Sequence, residues 1–247
     1  MSKLLERLRQ ASRGPVQPLG FRAAASTSKS PPMVLIACLA ENPARVAAAA
    51  KECADAVLLK GGQSQQKLIA SLGELPWGAV LDQATEEELT QLKGEGCDFL
   101  VFDAAKAPPA VLLQEEMGKI VEIDPSLADG LVRAIEQLPI DAVLIGGEPS
   151  LSVHRLMVCQ RVANLLRKPL VALAPLYVSK EDLEGLREAG MVGVAVEVKG
   201  DAKEGLLRLR QAIDALPPSR RGKREKADVL LPYLAPVEAT PVEEEEE

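Results

Sequence analysis

One segment of this chain recurs at a fixed distance. Asp55-Ala-Val-Leu-Leu-Lys-Gly-Gly returns 86 residues later as Asp141-Ala-Val-Leu-Ile-Gly-Gly-Glu. The match reads upstream without a gap, laying Met33–Ala37 over Lys119–Ile123 and Val46 over Val132. Downstream, Pro76-Trp77-Gly78-Ala79-Val80-Leu81 pairs with Pro169-Leu170-Val171-Ala172-Leu173 at a shift of 93. Glu87-Glu88-Leu89 and Gly96 then pair with Glu181-Asp182-Leu183 and Gly190 at a shift of 94. Four units followed by four similar units are the trace of a doubled half, and two equal halves complete a ring.

The units themselves read as strand then helix. The strand candidates are Met33–Leu39, Ala56–Leu59, Trp77–Leu81, Phe99–Phe102, Ile120–Ile123, Ala142–Ile145, Leu170–Leu173 and Gly193–Val198. Each is nearly continuous in apolar residues, as expected of parallel strands covered on both faces. Thr85 before Glu86-Glu87-Glu88 and Ser179 before Lys180-Glu181-Asp182 carry helix-start chemistry, with Ser126 and Ser152 as two further cap candidates. Gly96 and Gly190 stand where a helix must stop. Eight strands with eight helices over residues 33–217 predict an α/β fold, a closed (β/α)8 TIM barrel. A doubly wound open sheet is the alternative. Leu4–Leu8 opens a short helix suited to plugging the lower mouth of the ring, and residues 10–32, rich in Ser, Ala, Gly and Pro, read as a connector. Three parts result: helix and linker over 1–32, barrel over 33–217, and a largely disordered basic-then-acidic tail over 218–247.

Composition narrows the function. Apolar residues make up 47% of the chain but aromatics only 2%, so the core is aliphatic and little material exists for stacking on bases. The net charge of -7 is unevenly placed: residues 1–32 carry six Lys/Arg against one Glu, and Arg220-Arg221-Gly222-Lys223-Arg224 precedes the acidic run Glu243–Glu247. The body between the ends is acidic, which disfavours nucleic acid as a partner. No apolar stretch reaches the roughly 20 residues of a membrane span. Four cysteines without a Cys-x-x-Cys pair and a single histidine make no zinc set; they read as buried thiols of a reducing, cytoplasmic setting. The Arg- and Ser-rich start has the flavour of a transit peptide, but a short amphipathic helix with a linker accounts for it better.

In a barrel of this kind the functional mouth is built from the C-terminal strand ends. Those ends offer Glu41 and Asn42; Lys60, Gly61, Gly62, Gln63 and Ser64; Asp82 and Gln83; Asp103 and Lys106; Glu122 and Asp124; Gly146, Gly147 and Glu148; Pro175 and Tyr177; and Glu197 and Lys199. The candidate catalytic set is Lys60, Asp103, Asp124 and Glu197. The candidate binding set is Gly61, Gly62, Asp82, Gly146, Gly147, Glu148 and Lys199. Crowded carboxylates raise one another's pKa and can move protons, while a lysine among them stays charged and binds an anion rather than forming a Schiff base. Asp82, Asp103 and Asp124 end successive strands in a way that would also suit a magnesium ion, or would simply cap the following turns; no metal site is assigned. Glu122 is an acid inside an apolar strand and must be paired, protonated or functional. The two Gly-Gly pairs serve either as tight turns or as anion cradles. His154 falls on a helix pattern away from the mouth. No Ser-His-Asp arrangement and no dinucleotide or Walker fingerprint is present, and the cofactor is unknown.

The stretch Pro169-Leu-Val-Ala-Leu-Ala-Pro-Leu-Tyr-Val-Ser179 through Gly190-Met-Val-Gly193-Val-Ala-Val resembles the seventh-to-eighth strand segment of the ribulose-phosphate-binding and aldolase-type barrels, which include isomerases and synthases of histidine, tryptophan and thiamin biosynthesis. The resemblance implies a (β/α)8 fold and a small anionic substrate. Those families place Gly-Gly after strand seven and Gly-Ser after strand eight to bind phosphate. Here Ala174-Pro175 and Val198-Lys199-Gly200 stand instead, so no catalytic or phosphate-binding residue carries over. The resulting expectation is a barrel enzyme of lyase or isomerase type using acid–base chemistry on a small anionic metabolite, with homo-oligomerisation left open. The alternative is a non-catalytic barrel serving as a binding or scaffold module.

Overall fold

The computed structural model describes residues 2–13, 31–39, 43–60, 66–81, 85–147, 150–199 and 202–217. The Gly-rich loop over 61–65, the connector over 14–30 and the tail over 218–247 lie outside the described residues. Eight parallel strands close into one barrel in sequence order: β1 Val34–Leu39, β2 Ala56–Leu59, β3 Trp77–Leu81, β4 Phe99–Asp103, β5 Gly118–Ile123, β6 Ala142–Ile145, β7 Leu170–Ala174 and β8 Gly193–Val198. The open-sheet alternative is excluded by the β1–β8 ladder, which pairs Val34 with Gly193 through to Leu39 with Val198. The helices are α1 Lys3–Arg13, α2 Pro43–Cys53, α3 Gln66–Leu72, α4 Glu86–Gly94, α5 Asp129–Ala134, α6 Val153–Leu165, α7 Lys180–Glu188 and α8 Lys203–Asp214. Among the described residues, no helix is long and apolar enough to cross a membrane.

Local chemistry sets most boundaries. Thr85 accepts the Glu88 N–H at the start of α4, Ser152 accepts the Arg155 N–H at the start of α6, and Ser179 with Asp182 forms a capping box on α7. Gly96 and Gly190 take φ of 81° and 94° just beyond α4 and α7, a conformation that costs glycine nothing. Two expectations need correction. Ser126 caps no helix; its hydroxyl and N–H both donate to Asp124, and α5 begins later, after Ala128. No α-helix follows β4 either. Pro108-Pro109 removes two N–H donors and disfavours the α conformation before each ring, so the connection forms only a 3-10 turn over Pro109–Leu113.

The ladders also correct the repeat. Ile36 pairs with Ala56 and Ile120 with Ala142, so Ile36 is the counterpart of Ile120 at a shift of 84. The gap-free reading misaligned β1 and β5 by two residues. A slip of two keeps every side chain on the same face, so an apolar run cannot reveal it. The two extra residues lie in the β5–β6 connection, which runs over 124–141 against 40–55 in the first half.

Ladder partners face the same way, and the register climbs around the ring, so inward side chains of alternate strands share a height. One layer is Ala56, Phe99, Ala142 and Gly193; the next is Ile36, Gly78, Ile120 and Val171; the third is Leu58, Val101, Leu144 and Ala195. Phe99 fills the place that Gly78 leaves: a Cβ on Gly78 would lie 2.4 Å from the Phe99 ring. The residual void among these residues is about 10 Å³, too small for any ligand.

The lower mouth is sealed by α1. Leu4 and Leu8 are fully buried and pack with Val34, Phe99 and Ile120. Three aspartates receive the helix, and each immediately precedes an even strand: Asp55, Asp98 and Asp141, spaced 43 residues apart. Asp98 caps the helix start, accepting from Ser2 Oγ at 2.7 Å, from the Lys3 N–H at 2.8 Å and from the Leu4 N–H at 3.0 Å. Arg7 reaches Asp55 at 3.9 Å and Arg9 reaches Asp141 at 3.4 Å. The same two aspartates accept the backbone N–H of Leu35 and Lys119, tying the preceding strands at their lower ends.

Truncation of a fully buried leucine loses its transfer energy and leaves a cavity. Leu8→Ala should therefore cost about 2–5 kcal/mol, and Asp98→Ala about 1–2 kcal/mol through the lost cap. Urea denaturation measures both. A Leu8→Ala cost within experimental error of zero would show that the helix does not seal the barrel in solution.

Candidate functional site

Above the three apolar layers the chemistry changes. The fourth layer holds Cys38, Val80, Glu122 and Leu173, and the rim layer above it holds Lys60, Asp103, Gly146 and Glu197. Lys60 and Gly146 are counterparts in the two halves, as are Asp103 and Glu197, and Cys38 and Glu122. Charge thus enters the lumen only at its last two levels.

Lys60 donates to Glu197 in a short ion pair, and Lys199 lies 3.4 Å from the other Glu197 oxygen. Burial pulls the Lys60 ammonium down, but the hydrogen bond and charge of Glu197, with help from Cys38 and Glu122, outweigh it and raise the pKa overall. Glu197 is held below the usual carboxylate value, first by the Lys60 hydrogen bond, against some desolvation, and further by both lysine charges. Lys60 is thus a fixed cation, unsuited to attack a carbonyl as a free amine. Cys38, one ladder step from Glu197 on β1, is pushed up to about 12 by burial and stays a thiol. The other three cysteines are buried free thiols as well.

Glu122 sits lower and tighter. Its carboxylate occupies the space that Gly146 leaves, where a Cβ would come within 2.7 Å of Oε1 and 3.2 Å of Cγ. Gly146 therefore serves as room for an acid, while Gly147, at φ 91°, makes the turn into the next helix. Glu122 and Asp103 are ladder partners on β5 and β4.

The rim aspartates are engaged in their own loops. Asp103 accepts the Ala105 N–H at 2.8 Å and pairs with Lys106 at 3.1 Å; these lower its pKa, the backbone bond most. Asp124 is fully exposed and is lowered by the Ser126 hydroxyl and then by the Ser126 N–H, at 2.7 Å. The two lie close enough for Asp124 to raise Asp103 slightly. The structure thus brings Lys60, Glu197 and Lys199 into one cluster with Glu122 beneath it, and sets Asp103 and Asp124 beside it in turns. Gly61, Gly62, Asp82 and Glu148, together with Glu41, Asn42, Gln63, Ser64 and Gln83, lie outside the described residues. Among the described residues, no group of three or more His, Cys, Asp or Glu could hold a metal ion. His154 is exposed on α6.

A cavity of about 280 Å³ opens beside the cluster, at the ends of β7 and β8. Pro175, Tyr177, Glu197, Lys199 and Ala202, the residue that begins α8, line its wall. Tyr177 is 74% exposed, an aromatic ring standing at the edge of a charged hollow.

These features define a closed (β/α)8 barrel with a charged C-terminal mouth. No protein-family model and no curated protein sequence matches the chain. Among solved structures it is similar to a mutant tryptophan synthase alpha-subunit from Pyrococcus furiosus, at 14% identity and a TM-score of 0.59 over 74% of this chain and 97% of that one. It is also similar to (S)-3-O-geranylgeranylglyceryl phosphate synthase from Thermoplasma acidophilum in complex with sn-glycerol-1-phosphate, at 13% identity, TM-score 0.57, over 87% and 99%. A third is the YdjI aldolase of Escherichia coli K12, at 12% identity, TM-score 0.53, over 86% and 93%. At these identities the likeness is one of fold.

The Lys60–Glu197 pair has a defined pH window. Glu197, lowered from 4.5, contributes stability that is full above 4.5 and is lost as pH falls through its folded value. Lys60, raised from 10.5, contributes stability that is full below 10.5 and is lost as pH rises through its folded value. Glu197→Gln should lower the melting temperature slightly at pH 7, because the pair is partly exposed, and the gap to the wild type should close in acid. A gap that stays constant down to pH 2 would mean the pair contributes nothing through charge.

Proposed function

We propose that this barrel is an enzyme of lyase or isomerase type that works on a small anionic metabolite by acid–base chemistry at the C-terminal mouth. One observation carries the reading. Lys60 and Lys199 share a single carboxylate, Glu197, and Glu197 and Lys199 stand on the wall of an open cavity, so one carboxylate is set against two ammonium groups. An anionic group entering this hollow meets the Lys199 ammonium and the start of α8, with Lys60 one ion pair away on Glu197. Glu197 holds both lysines in place. The rim carboxylates supply proton acceptors beside the bound anion, Asp103 among them. The Thermoplasma synthase, a barrel of similar fold, was determined in complex with sn-glycerol-1-phosphate, a small anionic ligand of the proposed class.

A non-catalytic binding module is the second reading. Its support is that Asp103 and Asp124 are both committed to loop hydrogen bonds.

Isothermal titration with inorganic phosphate and with pyruvate tests the anion site. The intact protein should bind at least one of them, and Lys199→Met or Lys60→Met should weaken binding about 10- to 100-fold, the worth of one charge-assisted hydrogen bond of about 1.5–3 kcal/mol. Absence of binding by either anion, or binding that ignores both substitutions, would overturn the proposal. Binding by a protein that turns over no substrate would favour the module.

A further inference from the structure

We infer that Glu122 is the proton-transferring group of this mouth, and that the substrate is a carbon acid: a small anionic compound with a C–H bond next to a carbonyl. The inference rests on the anion-binding reading above and adds the acid–base residue and the substrate class.

Packing makes Glu122 conspicuous. The three layers beneath it are wholly apolar, and its own layer is completed by Cys38, Val80 and Leu173. A side chain matching Leu173 would satisfy the barrel at this level. A carboxylate there carries a desolvation cost unless it is compensated, so an acid in this layer is kept against the packing preference of its surroundings. Residues that break the local rule mark functional sites.

The duplicated halves explain how the acid is accommodated. Where the first half has Lys60 beside the small Cys38, the second has Glu122 beside Gly146. Each long charged side chain is matched to a small neighbour, and the two are swapped between halves. The result is a cation on one side of the mouth and a carboxylate on the other. The two are in electrostatic contact: the Glu122 charge acts on Lys60 and on Cys38. The titratable groups beside Glu122 are Cys38 from β1, Lys60 after β2 and its ladder partner Asp103 on β4.

A base opposite a fixed cation suits one class of step. The Glu122 carboxylate takes the proton from carbon. The C–H electron pair forms a C=C bond, and the carbonyl π pair moves onto oxygen, giving an enolate. Lys60, an ammonium with three donors of which Glu197 takes one, stabilises that oxyanion. Where the deprotonated carbon also bears a hydroxyl, the hydroxyl proton passes to the enolate oxygen and the protonated Glu122 returns its proton to the former carbonyl carbon, which completes an isomerisation; otherwise the proton returns to the original carbon, which restores the substrate. In D2O the second route replaces hydrogen by deuterium.

The experiment follows deuterium incorporation into dihydroxyacetone phosphate and pyruvate by proton NMR, using the full chain. The wild type should accelerate exchange in at least one probe. Glu122→Gln should reduce that rate about 10²–10⁴-fold, the contribution of a general base. Phosphate affinity should persist in this variant, and Glu122→Asp should recover part of the rate. Glu122→Met should melt at or above the wild-type temperature, because an apolar side chain fits the layer. If phosphate binds in a Lys60- and Lys199-dependent manner but neither probe exchanges, or Glu122→Gln exchanges normally, the assignment of Glu122 fails while the anion site stands. If Glu122→Met melts well below the wild type, Glu122 is a structural partner and the inference fails. If phosphate and pyruvate do not bind at all, the anion-binding reading fails and takes this inference with it.

Discussion

The alternation of inward and outward side chains around a closed ring is the constraint on which this molecule depends. Once β1 pairs with β8, each strand has one set of residues that must fill the lumen and another that must meet the helices. The lumen has a fixed width, so side-chain volumes at one height are set against each other. Phe99 can be present only because Gly78 has no side chain at the neighbouring position, and Glu122 only because Gly146 has none. Substituting either glycine would displace a neighbour in a packed interior rather than merely add a methyl group.

That constraint divides labour between the two ends. At the lower end, Asp55, Asp98 and Asp141 meet backbone N–H groups and the arginines and cap of α1, and leucines close the lumen. These contacts tie the N-terminal face of the barrel to α1, the end of this fold whose residues serve stability. At the upper end Lys60, Glu197 and Lys199 remain partly exposed around a hollow. The same residue types serve different ends because one set is enclosed by its own helix and the other faces solvent.

Much of the fold was legible in the sequence because buried parallel strands are nearly continuous apolar runs. Ala56–Leu59, Trp77–Leu81, Ala142–Ile145 and Gly193–Val198 were read with the boundaries they have. The helix starts at Thr85, Ser152 and Ser179 were legible because capping needs particular side chains. The slip of two between β1 and β5 was not, since both registers bury the same faces. The 43-residue spacing of Asp55, Asp98 and Asp141 was visible in the sequence, but a reading confined to the functional ends of strands had no use for it. The site was legible only as a set of strand ends. Which carboxylates face a common space and which turn back on their own loops depends on distances: Asp103 and Asp124 differ from Glu197 in partners, not in residue type.

The divergence of the two halves bears on why the mouth is charged. A doubled half-barrel kept for stability alone has no reason to alter counterpart positions in opposite directions. Here every upper-level pair that differs in charge differs in volume as well: Lys60 against Gly146, and Glu122 against Cys38. Exchanging only one member of either pair would overfill its neighbourhood or leave a gap, so charge and packing must have changed together. In the fourth layer the apolar pair Val80 and Leu173 alternates around the ring with the two altered positions. The arrangement follows from filling a ring of fixed width with one long cation and one long anion, each given room by a small residue on a neighbouring strand.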